Sequence, residues 1–180
     1  VEDNPDRFYH YREIETVRQS ILEDTYSTIM RQVEVTYLFG ASGTGKTRGI
    51  FEHHNPKSIC RITDNSKKNG VRFDSYHGQE VLVFEEFHSQ IALPDMLNLL
   101  DIYPINLPAR YSDRIACYKN VYIISNLPLE LQYTDVQAFD VKTWNAFIRR
   151  ISSIKEFKPN GIIVEHNKKE YQHHEETTNN

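Results

Sequence analysis

At 180 residues the chain amounts to one domain, long enough to bury most of the surface it exposes when unfolded. Its net charge of −4 argues against a surface that is basic throughout, so any contact with nucleic acid has to come from a local cluster of Lys and Arg. No apolar run is long enough to span a bilayer and no charged-then-apolar signal segment opens the chain, which excludes a helical membrane protein and points to a cytosolic or nuclear setting. Cys60 and Cys117 provide neither a disulfide framework nor a metal quartet, and two buried thiols in a reducing compartment are expected. The chain opens on Val1 and a polar, Pro-containing stretch, and is expected to be a piece of a longer protein.

Between Tyr11 and Val33 the apolar residues Ile14, Val17, Ile21, Leu22, Tyr26, Ile29, Met30 and Val33 recur at helical spacing. Residues 1–33 therefore read as a linker and a helical segment whose apolar face either packs on the rest of the chain or docks on a neighbouring subunit. Val35 to Phe39 is a β-branched and aromatic run that reads as a buried strand, and Thr47 to His54 reads as a helix stopped by Asn55-Pro56. Between them Gly40-Ala41-Ser42-Gly43-Thr44-Gly45-Lys46-Thr47 matches G-x-x-x-x-G-K-[ST] in full. Strand, glycine loop and helix are the context a phosphate-binding loop requires. Its backbone N–H groups and the helix start are suited to a polyphosphate, Lys46 to the β and γ phosphates, and the Thr47 hydroxyl to Mg²⁺.

Ser58 to Ile62 reads as a short strand and Asp64 to Gly70 as a polar loop. Val81-Leu82-Val83-Phe84 is a continuous apolar run of the kind buried on both faces of a parallel sheet, and it ends in Glu85-Glu86. Carboxylates at the C-terminal end of such a strand lie where open α/β sheets bind ligands. Glu85 is the candidate for hydrated Mg²⁺ and Glu86 for the water that attacks the γ-phosphate. Leu93 to Asp101 reads as a short helix. Ile105 to Lys119 reads as a hairpin region in which Arg110, Tyr111, Arg114, Tyr118 and Lys119 combine charges for phosphates with rings for base stacking, a pattern suited to single-stranded nucleic acid and equally compatible with a solvated hairpin.

Val121 to Ser125 is a further buried strand, and Asn126 at its end either senses the γ-phosphate or makes the turn before Pro128. Val141 to Ile154 reads as a helix carrying Arg149-Arg150, which either form surface ion pairs or act as a charge-neutralising finger on a neighbour's nucleotide. Ile162-Ile163-Val164 closes the fold as a short strand, so that residues 34–166 form the main domain. Residues 167–180 are polar and expected to be disordered; His173-His174-Glu175-Glu176, like His53-His54, reads as solvated rather than as a metal site.

Taken together, the motifs resemble the superfamily 3 helicase domain of replication-initiator (Rep) proteins of small circular single-stranded DNA viruses and related rolling-circle plasmids. The resemblance runs from about Phe39 to Ile151. Besides the phosphate loop it rests on Phe73 to Glu80 leading into Val81 to Phe87, on Leu100-Asp101-Ile102-Tyr103-Pro104, on Ser125-Asn126 and on Ile148-Arg149-Arg150-Ile151. The acidic pair is Glu85-Glu86 where the family usually has Asp-Asp, Phe73 stands for Trp, and Arg110-Tyr111 stands for the Lys-Gly of the family's DNA-binding hairpin. The wording of Val121 to Leu129 looks more like the bacterial and plasmid branch than the animal-virus branch, so the setting is the cytoplasm of a bacterial host or, for a viral protein, the host nucleus.

The resemblance implies an α/β P-loop NTPase fold with an AAA+-like parallel sheet of about five strands flanked by helices. It further implies ATP and Mg²⁺ as cofactors, single-stranded DNA as partner, a homo-oligomeric, hexameric ring with ATP sites between subunits, and a preceding HUH endonuclease domain in the intact protein. Two other activities share the same loop: a nucleotide-gated DNA-binding oligomerisation module without unwinding, and a small-molecule phosphotransferase.

Overall fold

A computed structural model describes residues 5–63 and 70–173, without the side chains of residues 5–9, 11 and 12. The elements in chain order are α1 (Pro5–Tyr26), β1 (Glu34–Phe39), α2 (Lys46–His53), β2 (Ile59–Ile62), β3 (Val81–Phe84), α3 (Leu93–Leu99), β4 (Asn106–Leu107), β5 (Arg114–Ile115), β6 (Asn120–Ser125), α4 (Thr134–Phe139), α5 (Val141–Arg150), β7 (Ser153–Phe157) and β8 (Ile163–His166).

Among the described residues six strands form one sheet in the order β2-β3-β6-β1-β7-β8, and β4 and β5 form a separate hairpin. The pairings β2–β3, β3–β6, β6–β1 and β1–β7 are parallel, whereas β8 returns antiparallel to β7. Five strands are thus parallel, but one of them is β7, which the sequence reading does not give, and the strand read at Ile162 to Val164 is the antiparallel edge strand β8. Because β6 inserts between β1 and β3, the chain ends of three strands meet at one rim: Phe39 lies opposite Ser125, and Phe84 opposite Ile123.

The apolar runs are continuous because both faces of the sheet are covered. Val35, Tyr37, Phe39, Leu82, Phe84, Val121, Ile123 and Ile154 point to one side, where Trp144, Phe147 and Ile148 of α5 and Leu93 and Met96 of α3 complete the larger core. Leu38, Ile59, Val81, Val83 and Ile124 point to the other, under Ile50 and Phe51 of α2. Alternation along β1 therefore places the helix that follows the glycine loop on one face and the other helices on the opposite one.

Several elements depart from the sequence reading, among them α4, which it does not give. The helix expected to run to Ile154 ends at Arg150, and Ile154 instead belongs to β7, where it pairs with Tyr37 and is fully buried. Val35 N–H donates to Ser152 Oγ and Ser152 N–H to the Val35 carbonyl, which captures the chain as an extended strand just after the helix. The tail beyond residue 167 is docked at least to His173: Trp144 Nε1–H donates to the Tyr171 carbonyl, and the side chain of Asn145 both donates to and accepts from the His173 backbone. Residues 174–180 lie outside the described residues, as does most of the Asp64–Gly70 loop.

The N-terminal helix ends at Tyr26, and only part of its apolar pattern is buried. Leu22 packs on Gly78 so closely that an added Cβ there would meet Leu22 Cδ1 at 2.7 Å. Glu15 pairs with His77, while Ile14, Val17 and Ile21 remain exposed. The linker behind it is pinned by Arg31, whose guanidinium donates to the carbonyls of Asp101 and Tyr103 and lies 4.6 Å from the Tyr118 ring centre.

Candidate active site

The glycine loop connects β1 to α2 at the rim. Gly40 has φ 138°, and a Cβ on it would meet the Phe157 carbonyl oxygen at 2.2 Å, so the loop leaves the sheet through a place only glycine fits. Gly45, at φ 92°, enters the helix in the left-handed region. Lys46 is buried, and its Nζ donates to the carbonyls of Gly40 (2.7 Å) and Ala41 (2.8 Å) and to Asn126 Oδ1 (3.2 Å). Burial pulls its ammonium pKa down, and the Glu85 charge partly offsets this.

Glu85 follows β3 and is buried; its Oε2 accepts from Thr47 Oγ1 at 3.2 Å and its Oε1 from Arg61 Nε at 2.9 Å. Glu86 is exposed and sits at φ 48°, a left-handed conformation that costs a non-glycine residue roughly 1–2 kcal/mol. Its carbonyl turns inward and accepts from His88 Nδ1 at 2.7 Å. The Glu85 carboxylate lies in the site, whereas the Glu86 side chain stands in solvent. Lys46, Thr47, Glu85 and Asn126, read from three separate segments of the chain, form one connected cluster.

A buried polar network holds the strand tips in place, and sequence reasoning missed it. Gln132 Nε2 donates to Tyr37 Oη, Ser125 Oγ and the Phe87 carbonyl, while its Oε1 accepts from Ser89 Oγ at 2.6 Å. Ser125 Oγ also donates to the Phe87 carbonyl, and Phe87 N–H donates to the Ile124 carbonyl. The loops after β3 and β6 are thereby tied together just beneath Glu85 and Asn126. Burial pushes the Tyr37 hydroxyl far above its ordinary pKa, so it remains a neutral donor and acceptor. Nothing in the sequence around Gln132 marks it.

The other candidate residues lie elsewhere. Arg149 and Arg150 end α5 beside the start of β7, and Ser153 pairs with Thr36, so they sit towards the edge of the sheet away from the glycine loop. Arg150 pairs with Asp101, and its Nη1 donates to the Ala146 carbonyl; Arg149 is exposed. At the hairpin, Arg110 and Tyr111 occupy the tip between β4 and β5, with Tyr111 98% exposed at φ 74°. Asp74 braces the tip by accepting from the Arg110 N–H, Phe73 N–H donates to the Pro108 carbonyl, and Tyr76 Oη accepts from Cys117 N–H. The Phe73–Glu80 segment is thus the seat of the hairpin. Arg114 is half-buried on β5, with its Nε shielded and without a hydrogen-bond partner. Lys119 does not join the tip: it directly precedes β6, at the end of the sheet opposite the glycine loop, and pairs with Glu80.

No protein-family model matches the chain. It aligns with the replication-associated protein of goose circovirus at 29% identity over 150 residues, 83% of this chain and 46% of that protein. The chain is similar to viral replication-associated proteins. Those of beak and feather disease virus (30% over 104 residues, 58% of this chain and 34% of that protein) and porcine circovirus 2 (28% over 125 residues, 68% and 37%) align as well. The chain thus spans less than half the length of these relatives. They are viral, whereas the wording of Val121 to Leu129 pointed to the bacterial and plasmid branch. Among the described residues no helix is long and apolar enough to cross a membrane.

Proposed function

We propose that this chain is the ATP-hydrolysing motor domain of a replication-initiator protein, a superfamily 3 helicase that moves on single-stranded DNA and unwinds duplex during rolling-circle replication. The observation that carries this reading is the meeting of Lys46, Thr47, Glu85 and Asn126 at the tips of β1, β3 and β6, next to a glycine loop whose backbone suits a polyphosphate. The likeness to replication-associated proteins supports it independently.

The donor set fits a nucleotide with its magnesium. Thr47 Oγ1 and Glu85 Oε2, 3.2 Å apart, are hard oxygen ligands of the kind Mg²⁺ takes. Among the described residues no cluster of three or more His, Cys, Asp and Glu side chains could hold a metal ion, so phosphate oxygens and water would supply the remaining ligands. Bound there, the cation would neutralise charge on the β and γ phosphates. Lys46, now held by two backbone carbonyls and Asn126, exchanges these acceptors for phosphate oxygens. Asn126 would then be free to orient the attacking water, and Glu86, next in the chain to Glu85, would take its proton. In this reading Arg149 completes a neighbouring subunit's site, because it is exposed at the edge of the sheet away from its own loop. The exposed Ile14, Val17 and Ile21 of α1 give such a homo-oligomeric ring an apolar contact face.

The test pairs ATP hydrolysis with displacement of a strand from a tailed duplex. Wild-type protein should do both, and Lys46→Ala should do neither. Hydrolysis without displacement would reduce the domain to a nucleotide-gated binding module. An ATPase rate indifferent to single-stranded DNA would point instead to a small-molecule phosphotransferase.

A further inference from the structure

Beside Glu85, on the side away from the glycine loop, a cavity of about 450 Å³ is lined by Arg61, Thr63, Arg72, Asp74, Ser75 and Arg110. Among the described residues three guanidinium-bearing side chains line it against one carboxylate, in a chain whose net charge is −4. Arg72 and Arg110 are exposed, and the Arg110–Asp74 pair, 3.9 Å apart and open to water, leaves the arginine able to take a ligand. Arg110 belongs to the hairpin tip, next to the exposed Tyr111 ring, so a phosphate in the cavity would place a base within reach of a stacking partner. Guanidinium groups also match phosphate oxygens in pairs, which a lysine cluster would not.

Arg61 belongs to this cavity and to the nucleotide site at once. Its Nε donates to Glu85 Oε1 at 2.9 Å, and its guanidinium lies 5.9 Å from the Phe51 ring centre on α2. The Arg61 side chain is 47% exposed while that of Glu85 is 10% exposed, so the arginine end of the pair stays open to a second anion approaching from the cavity. We propose that the cavity binds a phosphodiester group of single-stranded DNA through Arg61, Arg72 and Arg110, and that Arg61 couples the strand to the nucleotide site by exchanging Glu85 for the phosphate. This rests on the motor reading above, in which Glu85 faces the Mg²⁺ that comes with ATP. With Arg61 drawn into the cavity, Glu85 presents an unneutralised carboxylate to the cation. Strand binding then favours nucleotide binding and, by linkage, nucleotide favours the strand to the same degree.

The experiment measures binding of a fluorescein-labelled oligothymidylate by anisotropy, across a salt series, with and without Mg²⁺ and a non-hydrolysable ATP analogue. Arg72→Gln is expected to weaken the strand about fivefold and to lower the salt slope by about one, as the loss of one phosphate contact should. Arg61→Gln is expected to do the same and in addition to abolish the gain in strand affinity that nucleotide gives the wild type. Arg61→Lys, which keeps the charge but loses the fork, should recover the salt slope but only part of the affinity. Arg48→Gln, on the exposed face of α2 where Arg48 pairs with Glu52, should match the wild type. If Arg61→Gln and Arg72→Gln bind the strand like wild type while Arg110→Ala weakens it, the hairpin reading stands and the cavity is not part of the track. If millimolar inorganic phosphate fills the cavity, shown by protection of Arg72 from a guanidine-directed reagent, while the strand gives no such protection, the ligand is a free anion and the proposal fails. If wild-type protein hydrolyses ATP but binds no strand, the motor reading itself is overturned.

Discussion

The rim of the sheet and the tip of the β4–β5 hairpin are built on opposite principles. At the rim Lys46, Thr47, Glu85 and Asn126 hold one another, and the Tyr37–Gln132–Ser125 network fixes the backbone beneath them. At the tip Arg110 has Asp74 as its one acidic partner among the described residues, and Tyr111 stands in solvent. A triphosphate presents the same charges in the same places each time, so a site for it gains from being set in advance. A strand of varying sequence does not, and rings and arginines free to adapt suit it better. The difference argues that substitutions at the rim should act on nucleotide chemistry or folding, and those at the tip on strand affinity.

The largest expected effect is that of Lys46→Ala, which should reduce ATP hydrolysis at least about a hundredfold, the scale on which a single preorganised charge-stabilising donor acts. Turnover by phosphate release measures it, with thermal unfolding to show that the fold survives. A rate equal to wild type would dissolve the division between rim and tip. Next comes Gly40→Ala: a methyl group 2.2 Å from the Phe157 carbonyl oxygen, on a backbone at φ 138°, should cost about 1–3 kcal/mol by urea unfolding. An unchanged midpoint would mean that the loop is as adaptable as the hairpin.

The arginine pair sharpens the comparison because its two members should behave differently. Arg150 is committed to Asp101, and its loss should destabilise the protein by about 1–2 kcal/mol, below the cost of breaking a fully buried pair because both side chains keep contact with water. Burial alone would raise the Asp101 carboxyl pKa, but hydrogen bonds from Arg150 and the Ile102 N–H, with the charges of Arg150 and Arg31, together outweigh it and the pKa is lowered. A carboxylate with a lowered pKa in the folded state stabilises the protein above its ordinary titration range, and loses that contribution as pH falls through the folded value. The stability gap between wild type and Arg150→Ala should therefore close in acid. Arg149→Ala should leave stability alone and lower hydrolysis. Mixing it with Lys46→Ala protein should restore part of the rate, because a site joining the intact loop of one subunit to the intact arginine of another would then exist. No recovery on mixing would place Arg149 outside a shared site.

How much of this was legible in the sequence follows the same division. The rim was readable because its residues come in fixed order at the ends of continuous apolar runs, and strand order then brings them together. What the sequence could not show were contacts made across long separations. Arg61 stands in an otherwise apolar strand and gives no sign that it reaches Glu85, while Gln132 lies in a turn with nothing to mark it as the knot beneath two loops. Lys119 was grouped with the hairpin because it follows Tyr118, yet the hairpin strands are only two residues long and the chain has already turned into β6. β7 was missed because Ile148, Ile151 and Ile154 continue a three-residue spacing, and two hydrogen bonds between Ser152 and Val35, one of them to the serine hydroxyl, decide the matter instead.

The smallest expected effect separates strain from function most cleanly. Tyr111 holds φ 74° with its ring almost wholly in water, so its native contacts offer little to offset the strain of the left-handed conformation. Tyr111→Gly should relieve that strain, and the glycine's extra freedom in the unfolded chain should return part of the gain, leaving a net stabilisation of less than about 1 kcal/mol. If the ring serves only the fold, strand affinity will be unchanged. If it stacks on a base, affinity should fall by about 1–3 kcal/mol while the unfolding midpoint rises. Opposite movements of those two readouts in one variant would mean that the strained tyrosine is kept for the strand and not for the protein.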